Sequence, residues 1–226
     1  MTGLVKMDLD RMQKALGSGR CIVCFLMTAD ELDMLYKGAS ISTDMEIGQT
    51  LAKNGFCSHH FWKLNMRSAY DTISHMTGYL LGKFVSAMEQ EDNHPVDNIM
   101  NQYWDNRINQ SGEIICPICE TLSEQETEYI NHLKIFLTTK EHLEHFRNSR
   151  GLCIPHFMKL MRVVESGSVK KELFFIQRNH VITLIHELQE FIRKYLPPLR
   201  WERTDDEKFA YYRAIEKLVG KEGIKY

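Results

Sequence analysis

The placement of the cysteines limits most strictly what this chain can fold into. All six fall into two sets of matching order: Cys21-Ile22-Val23-Cys24 followed by Cys57-Ser58-His59-His60, and Cys116-Pro117-Ile118-Cys119 followed by Cys153-Ile154-Pro155-His156. The second and third cysteines stand 33 positions apart in one set and 34 in the other. The surrounding string repeats as well. Gly55-Phe56-Cys57 runs on to His60-Phe61-Trp62-Lys63-Leu64, and Gly151-Leu152-Cys153 runs on to His156-Phe157-Met158-Lys159-Leu160. A pattern recurring at a fixed offset marks the duplication of one structural unit. The two halves are expected at 1–100 and 101–226, packed as one body.

Thiolate and imidazole are the ligands that tetrahedral zinc prefers, and a Cys-x-x-Cys turn sets two sulfurs on one face of a tight knuckle. If a helix begins at Cys57, then Cys57 and His60 sit at i and i+3 on one side of it, and so do Cys153 and His156. Taken half by half, Cys21, Cys24, Cys57 and His60 hold one ion, and Cys116, Cys119, Cys153 and His156 hold the other. A crossed pairing, in which Cys21 and Cys24 share an ion with Cys153 and His156, uses the same eight residues and stays open. Each set supplies four ligands, which closes the coordination sphere. Closed sites are structural, whereas catalytic zinc keeps a position open. Two structural zinc ions are expected, with an iron–sulfur cluster as the alternative occupant.

Composition agrees with a folded, reduced protein. The chain is 43% hydrophobic and 26% charged, within the range of globular domains, and its 226 residues can bury a sizeable core. A net charge of −2 speaks against a general nucleic-acid binder, which needs a basic stripe to displace counterions. There is no apolar run long enough for a membrane span, and the first eight residues lack the apolar stretch of a secretory leader. A cytoplasmic protein is expected, and in that compartment clustered cysteines read as ligands rather than disulfides.

Between the motifs the pattern is helical throughout, with no period-2 alternation long enough for a strand. Thr28 and Glu31 look like a capping box opening a helix to Lys37. Ser42 to Asn54 is a second helix stopped by Gly55, and a long helix from Cys57 to about Gln90 carries Phe61, Leu64, Ile73, Leu80, Phe84 and Met88. In the second half, Glu120 to Phe146 is helical and Gly151 stops it. A helix opens near Pro155, Ser166-Gly167-Ser168 interrupts, Lys170 to Tyr195 follows, and Asp205 to Val219 closes the chain.

Other residues invite sharper readings that the pattern does not support. Only His60 matches the repeat, so His59 faces solvent or neighbours the ligands. Glu141-His142 and Glu144-His145 lack the facing carboxylates of a di-metal bundle and read as a solvated face. The spread methionines read as core filler, and Trp62, Phe174 and Phe175 as core aromatics. No phosphate-binding loop, dinucleotide fingerprint, nucleophile elbow or His-Glu-x-x-His occurs. An enzyme site would rest only on Glu128, His132, His142 and His145 lying along one helical segment.

The paired motifs, together with Phe191-Ile192-Arg193-Lys194-Tyr195, Arg200-Trp201-Glu202 and Tyr212 to Gly220, resemble the bacterial proteins grouped as domain of unknown function 6062, found mostly in anaerobes. The resemblance covers nearly the whole chain. It implies metal-binding halves on helices in a cytoplasmic protein, and no activity. One departure is that Cys21-Ile22-Val23-Cys24 lacks the proline of Cys116-Pro117-Ile118-Cys119, leaving the first knuckle less pre-shaped. The function expected is that of a non-enzymatic accessory or adaptor protein with a protein partner. The alternative is a redox or metal-handling protein.

Overall fold

The computed structural model describes residues 9–40, 56–66, 70–89 and 116–221. Among them all regular structure is helical, in agreement with the sequence pattern. In chain order the helices are α1 (Leu9–Gly17), α2 (Ile22–Ser40), α3 (Ser58–Asn65), α4 (Tyr70–Glu89), α5 (Pro117–Phe136), α6 (Lys140–Arg147), α7 (Ile154–Val163), α8 (Gly167–Arg193), α9 (Asp205–Lys208) and α10 (Ala210–Val219), with a 3₁₀ turn at Leu199–Glu202. No described helix is long and apolar enough to cross a membrane. The expected helix over Ser42–Asn54 and the break after Gln90 lie outside the described residues.

The chain divides into two compact units, and they are not the halves 1–100 and 101–226. One unit combines Met1–Thr28 with Glu126–Tyr226, and the other is Ala29–Gln125. Both divisions fall inside helices, α2 and α5, so each of these helices serves both units.

In the unit formed by residues 1–28 and 126–226, α8 packs along α10 and α9, and α10 packs on α7. Its core takes Met12, Leu16, Ile22 and Leu26 from the N-terminal helices, with Leu133, Phe146, Leu160, Leu173 and Ile176 from the later ones and Leu152 from the segment before α7. Several sequence expectations shift by a turn for local reasons. Ser166 caps α8 by accepting from Val169 N–H, so the helix starts at Gly167 rather than Lys170. Thr139 accepts from His142 N–H and opens α6, which splits the helix expected over Glu120–Phe146. Thr204 and Glu207 form a reciprocal capping box, and Glu207 also holds Lys194 at 2.9 Å.

In the Ala29–Gln125 unit, α3 packs on α4. Leu35, Phe56, Leu64, Leu80 and Ile118 form a core with Cys57 and Cys116, and Phe61 and Ile73 pack against it. The long helix expected from Cys57 is two helices, α3 and α4. Trp62 is 67% exposed, and in the other unit Phe174 and Phe175 are exposed too, so none of these three is a core aromatic. The methionines divide: Met12 and Met27 are buried filler, whereas Met66 and Met158 are exposed.

Candidate metal centres

Each Cys-x-x-Cys straddles a helix start. Cys21 precedes α2 and Cys24 lies in its first turn, with Phe25 N–H bonded to the Cys21 carbonyl at 2.9 Å; Cys116 and Cys119 sit in the same way on α5, with Glu120 N–H on the Cys116 carbonyl at 3.0 Å. The capping box expected at Thr28 and Glu31 is therefore absent, because α2 has already begun six residues earlier. Thr28 instead bonds back to the Cys24 carbonyl. The missing proline at Ile22 costs the helix nothing visible. Each Cys-x-x-His also marks a helix start: Cys57 and Cys153 are N-caps with extended backbone, ψ 163° and 159°, and their histidines sit one turn in. Partial positive charge at a helix N-terminus favours thiolate over thiol, and here every cysteine has one.

Two four-residue clusters result, and both are crossed. Cys21 and Cys24 meet Cys153 and His156, while Cys57 and His60 meet Cys116 and Cys119; within each, the ligand atoms lie within 4.8 Å of one another. The half-by-half sets are thereby corrected: Cys21 and Cys24 join the later Cys-x-x-His, not the one 33 residues on. Each cluster lies wholly within one compact unit.

The spacing within each cluster can be tested against a single tetrahedral ion. Zinc–sulfur and zinc–nitrogen bonds of about 2.3 and 2.0–2.1 Å give tetrahedron edges of about 3.8 Å between sulfurs and about 3.5 Å between sulfur and nitrogen. The Cys24–Cys153 sulfurs are 3.8 Å apart and the Cys57–Cys119 sulfurs 3.7 Å. His156 Nδ1 lies 3.4, 3.4 and 3.0 Å from the sulfurs of Cys21, Cys24 and Cys153, and His60 Nδ1 lies 3.2, 3.3 and 3.4 Å from those of Cys57, Cys116 and Cys119. These sets fit one ion each, whereas a cluster of several irons would spread its cysteine sulfurs much further apart.

Behind each histidine stands a buried carboxylate that the motif search missed. His60 Nε2 lies 3.2 Å from Glu31, whose two oxygens also take Lys63 Nζ at 2.7 Å. His156 Nε2 lies 3.0 Å from Glu126, whose oxygens take Lys159 Nζ at 2.6 and 2.7 Å. Neither Nε2 is aligned on its carboxylate as a hydrogen bond, but the distances are those of an ion pair. A small ring rotation would give the carboxylate–histidine arrangement that fixes the tautomer and orientation of a ligating imidazole. A signal was there to be read: Glu31 and Glu126 each stand seven residues after the second cysteine of their motif, and Lys63 and Lys159 belong to the repeated string. The helices serve the clusters reciprocally. α2 gives its cysteines to one cluster and Glu31 to the other; α5 does the reverse.

Electrostatics follow from this packing. Burial pushes the Cys21 thiol well above its usual range, while hydrogen bonds from Cys153 and Cys21 hold Cys24 far below it. Hydrogen bonds accepted from Cys116 and Cys119 hold Cys57 low in the same way, and Cys119, which donates to Cys116 and Cys57, is pushed up. Burial opposes a charge on His60, but the sulfurs of Cys116 and Cys57 and the carboxylate of Glu31 outweigh it and hold the imidazole up at about 11. His156 stands at about 11 against its own burial because of Cys153, Cys24 and Glu126. Burial would raise Glu31, but His60 and Lys63 bring it down to about 2.

The rest of the repeated string has a place as well. Phe56 and Leu152, before the third cysteines, are buried, as are Leu64 and Leu160. Gly151 has φ 68°, and a Cβ there would lie 2.4 Å from His180 Nδ1 and 2.6 Å from Gln177 Oε1. Gln177 needs that approach, because its side-chain amide pairs with both the N–H and the carbonyl of Leu152, at 3.2 and 2.7 Å. His59 is half-buried beside Glu31 at 3.4 Å, a neighbour of the ligands. His142 stacks on Phe136 with centroids 3.7 Å apart, and its Nδ1 bonds the Phe136 carbonyl. Because Thr139 starts a new helix, Glu128, His132, His142 and His145 do not lie along one segment.

A family of unknown function (DUF6062) has a sequence model that matches residues 11–223. No curated protein matches the chain, and no solved structure does.

Proposed function

Because this chain belongs to the family of unknown function DUF6062, no activity comes with its membership, and we propose from its own geometry that it binds two zinc ions as structural clips, one in each compact unit. The observation that carries this reading is the closed three-sulfur, one-nitrogen set with a buried carboxylate behind the histidine, present twice. Each ion ties together two helix N-termini from distant parts of the chain. In such sites the free energy of metal binding is folding free energy. The protein acts as an accessory or adaptor factor in a reducing compartment, where its thiolates stay available. Exposed Tyr211, Ile215 and Leu218, spaced along one face of α10, offer a surface for a protein partner.

Elemental analysis of anaerobically purified protein tests the reading: two zinc ions per chain and no visible absorption are expected. A chain that stays fully folded after complete chelation would overturn the structural role. A second reading, a redox or metal-handling protein, draws on Cys21 and Cys119, which are only partly buried and so within reach of small solutes. Mild oxidant would then release zinc as disulfides form.

A further inference from the structure

The cluster of residues 21, 24, 153 and 156 borders a pocket. Cys21, Cys24 and Cys153 are part of its lining, which also holds five lysines and arginines against two glutamates. Much of that basic wall comes from α10, which turns its charged side inward. Arg213 and Lys217 are partly buried while Tyr211 and Ile215 face out. Arg213 pairs with Glu187 at 2.7 Å, and Arg150 with Asp206 at 2.5 Å. Lys217 donates to the Arg150 and Leu152 carbonyls at 2.6 and 3.0 Å, neither of which neutralises its charge. Cys21 is the one ligand of this cluster that is only partly buried, and it follows a turn made by Gly19 at φ 69°.

Thiolates in a pocket draw a metal cation, and ammonium and guanidinium groups in the same lining draw an anion. A small anionic chelator carrying a metal ion presents both charges at once. Resting on the zinc reading above, we propose that this pocket is where the metal ion enters and leaves the cluster, held by a small polycarboxylate-type carrier, with Cys21 the ligand that lets go. In the exchange a donor atom of the carrier takes Cys21's coordination position. The metal–sulfur bond breaks with its electron pair remaining on sulfur, so nothing is oxidised or reduced. A zinc ion bound by three thiolates and a neutral imidazole carries one net negative charge, which would repel the carrier; the basic wall offsets that repulsion.

The test uses the full chain with its two zinc ions first counted by elemental analysis. EDTA, an anionic polycarboxylate, or neutral 1,10-phenanthroline is added, and timed alkylation with mass spectrometry follows each cysteine. Loss of protection at Cys21, Cys24 and Cys153 is expected to speed up in proportion to EDTA concentration. Combined Arg20→Glu and Arg150→Glu should slow that loss by about tenfold or more while leaving the phenanthroline rate alone, with circular dichroism unchanged. Thr183→Trp, which fills the pocket, should slow both chelators. A rate independent of EDTA concentration would overturn the proposal, as would a charge reversal that changes nothing or slows both chelators equally. A chain that carries no zinc at the outset would instead sink the zinc reading on which the proposal rests.

Discussion

One cluster joins Cys24 to Cys153, 129 positions apart, and the other joins Cys57 to Cys119, 62 apart, yet the ligand geometry is nearly the same. Doubling a closed loop changes its entropic cost by only about 0.6 kcal/mol, so loop length does not set the two apart. Their surroundings do. Around Cys153 the backbone is held by Gln177 on both sides of Leu152 and by Lys217, and a core drawn from six helices lies behind it. Around Cys57 the described residues pack Leu35, Phe56, Leu64, Leu80 and Ile118 with the candidate ligands Cys57 and Cys116. In both units ligand side chains are buried, Cys24, Cys153 and His156 in one and Cys57, His60 and Cys116 in the other. The described difference lies in the side-chain hydrogen bonds that hold the backbone beside Cys153.

That comparison breaks most sharply on metal removal. A structural zinc site contributes on the order of 10 kcal/mol of binding free energy to folding. Cys57→Ser should leave one zinc per chain and abolish hydrogen-exchange protection across 56–89, whereas Cys153→Ser should also leave one zinc but keep protection in α8 and α10. The reverse order of damage would show that the Gln177 and Lys217 hydrogen bonds do not support the Cys153 cluster.

Gly151→Ala comes next. A left-handed backbone and a Cβ at 2.4 Å from His180 Nδ1 should together cost roughly 2–4 kcal/mol by urea denaturation. The loss should be confined to the unit of 1–28 and 126–226, with the Cys57 cluster still binding its ion. The crossed carboxylates give a third test. Glu31→Gln should weaken metal binding about 10- to 100-fold at the Cys57 cluster, although α2 itself ligates the other one. Glu126→Gln should weaken binding at the Cys153 cluster by a similar factor. Competition titration with cysteine-resolved alkylation separates the two.

Acid should act more strongly on the metal-bound protein than on the metal-free one. With no ion bound, an imidazole held up at about 11 contributes stability that is complete below its unfolded pKa and is lost as pH rises through about 11. With an ion bound, protons compete for the same sulfurs and nitrogen, so affinity falls as pH falls. Without the ion, the depressed Cys24 and Cys57 thiols act in the opposite sense to the imidazoles and offset that loss up to their unfolded pKa. Denaturant midpoints should therefore fall with falling pH when zinc is bound and change much less without it. The smallest effect belongs to Trp62→Ser, which should stay within about 0.5 kcal/mol because that ring is mostly in water.

Much of this was legible in the chain. The eight Cys and His positions follow from spacing alone, because metal ligation demands particular side chains at particular offsets. The all-helical class follows from hydrophobic periodicity, and the starts at Cys57 and near Pro155 follow from local capping chemistry. The sequence by itself determined which eight side chains could serve as ligands and placed the two Cys-x-x-His motifs at helix starts. That the Cys-x-x-Cys motifs open helices too came from the structure. Only the tertiary structure decided which pairs meet. The two Cys-x-x-His motifs are alike enough that either could complete either Cys-x-x-Cys, and nothing local distinguishes the partners. The choice is made where α2 and α5 carry Glu31 and Glu126 to the histidine of the cluster that their own cysteines do not serve. A carboxylate seven residues along a helix reads as an ordinary surface charge until packing buries it against an imidazole.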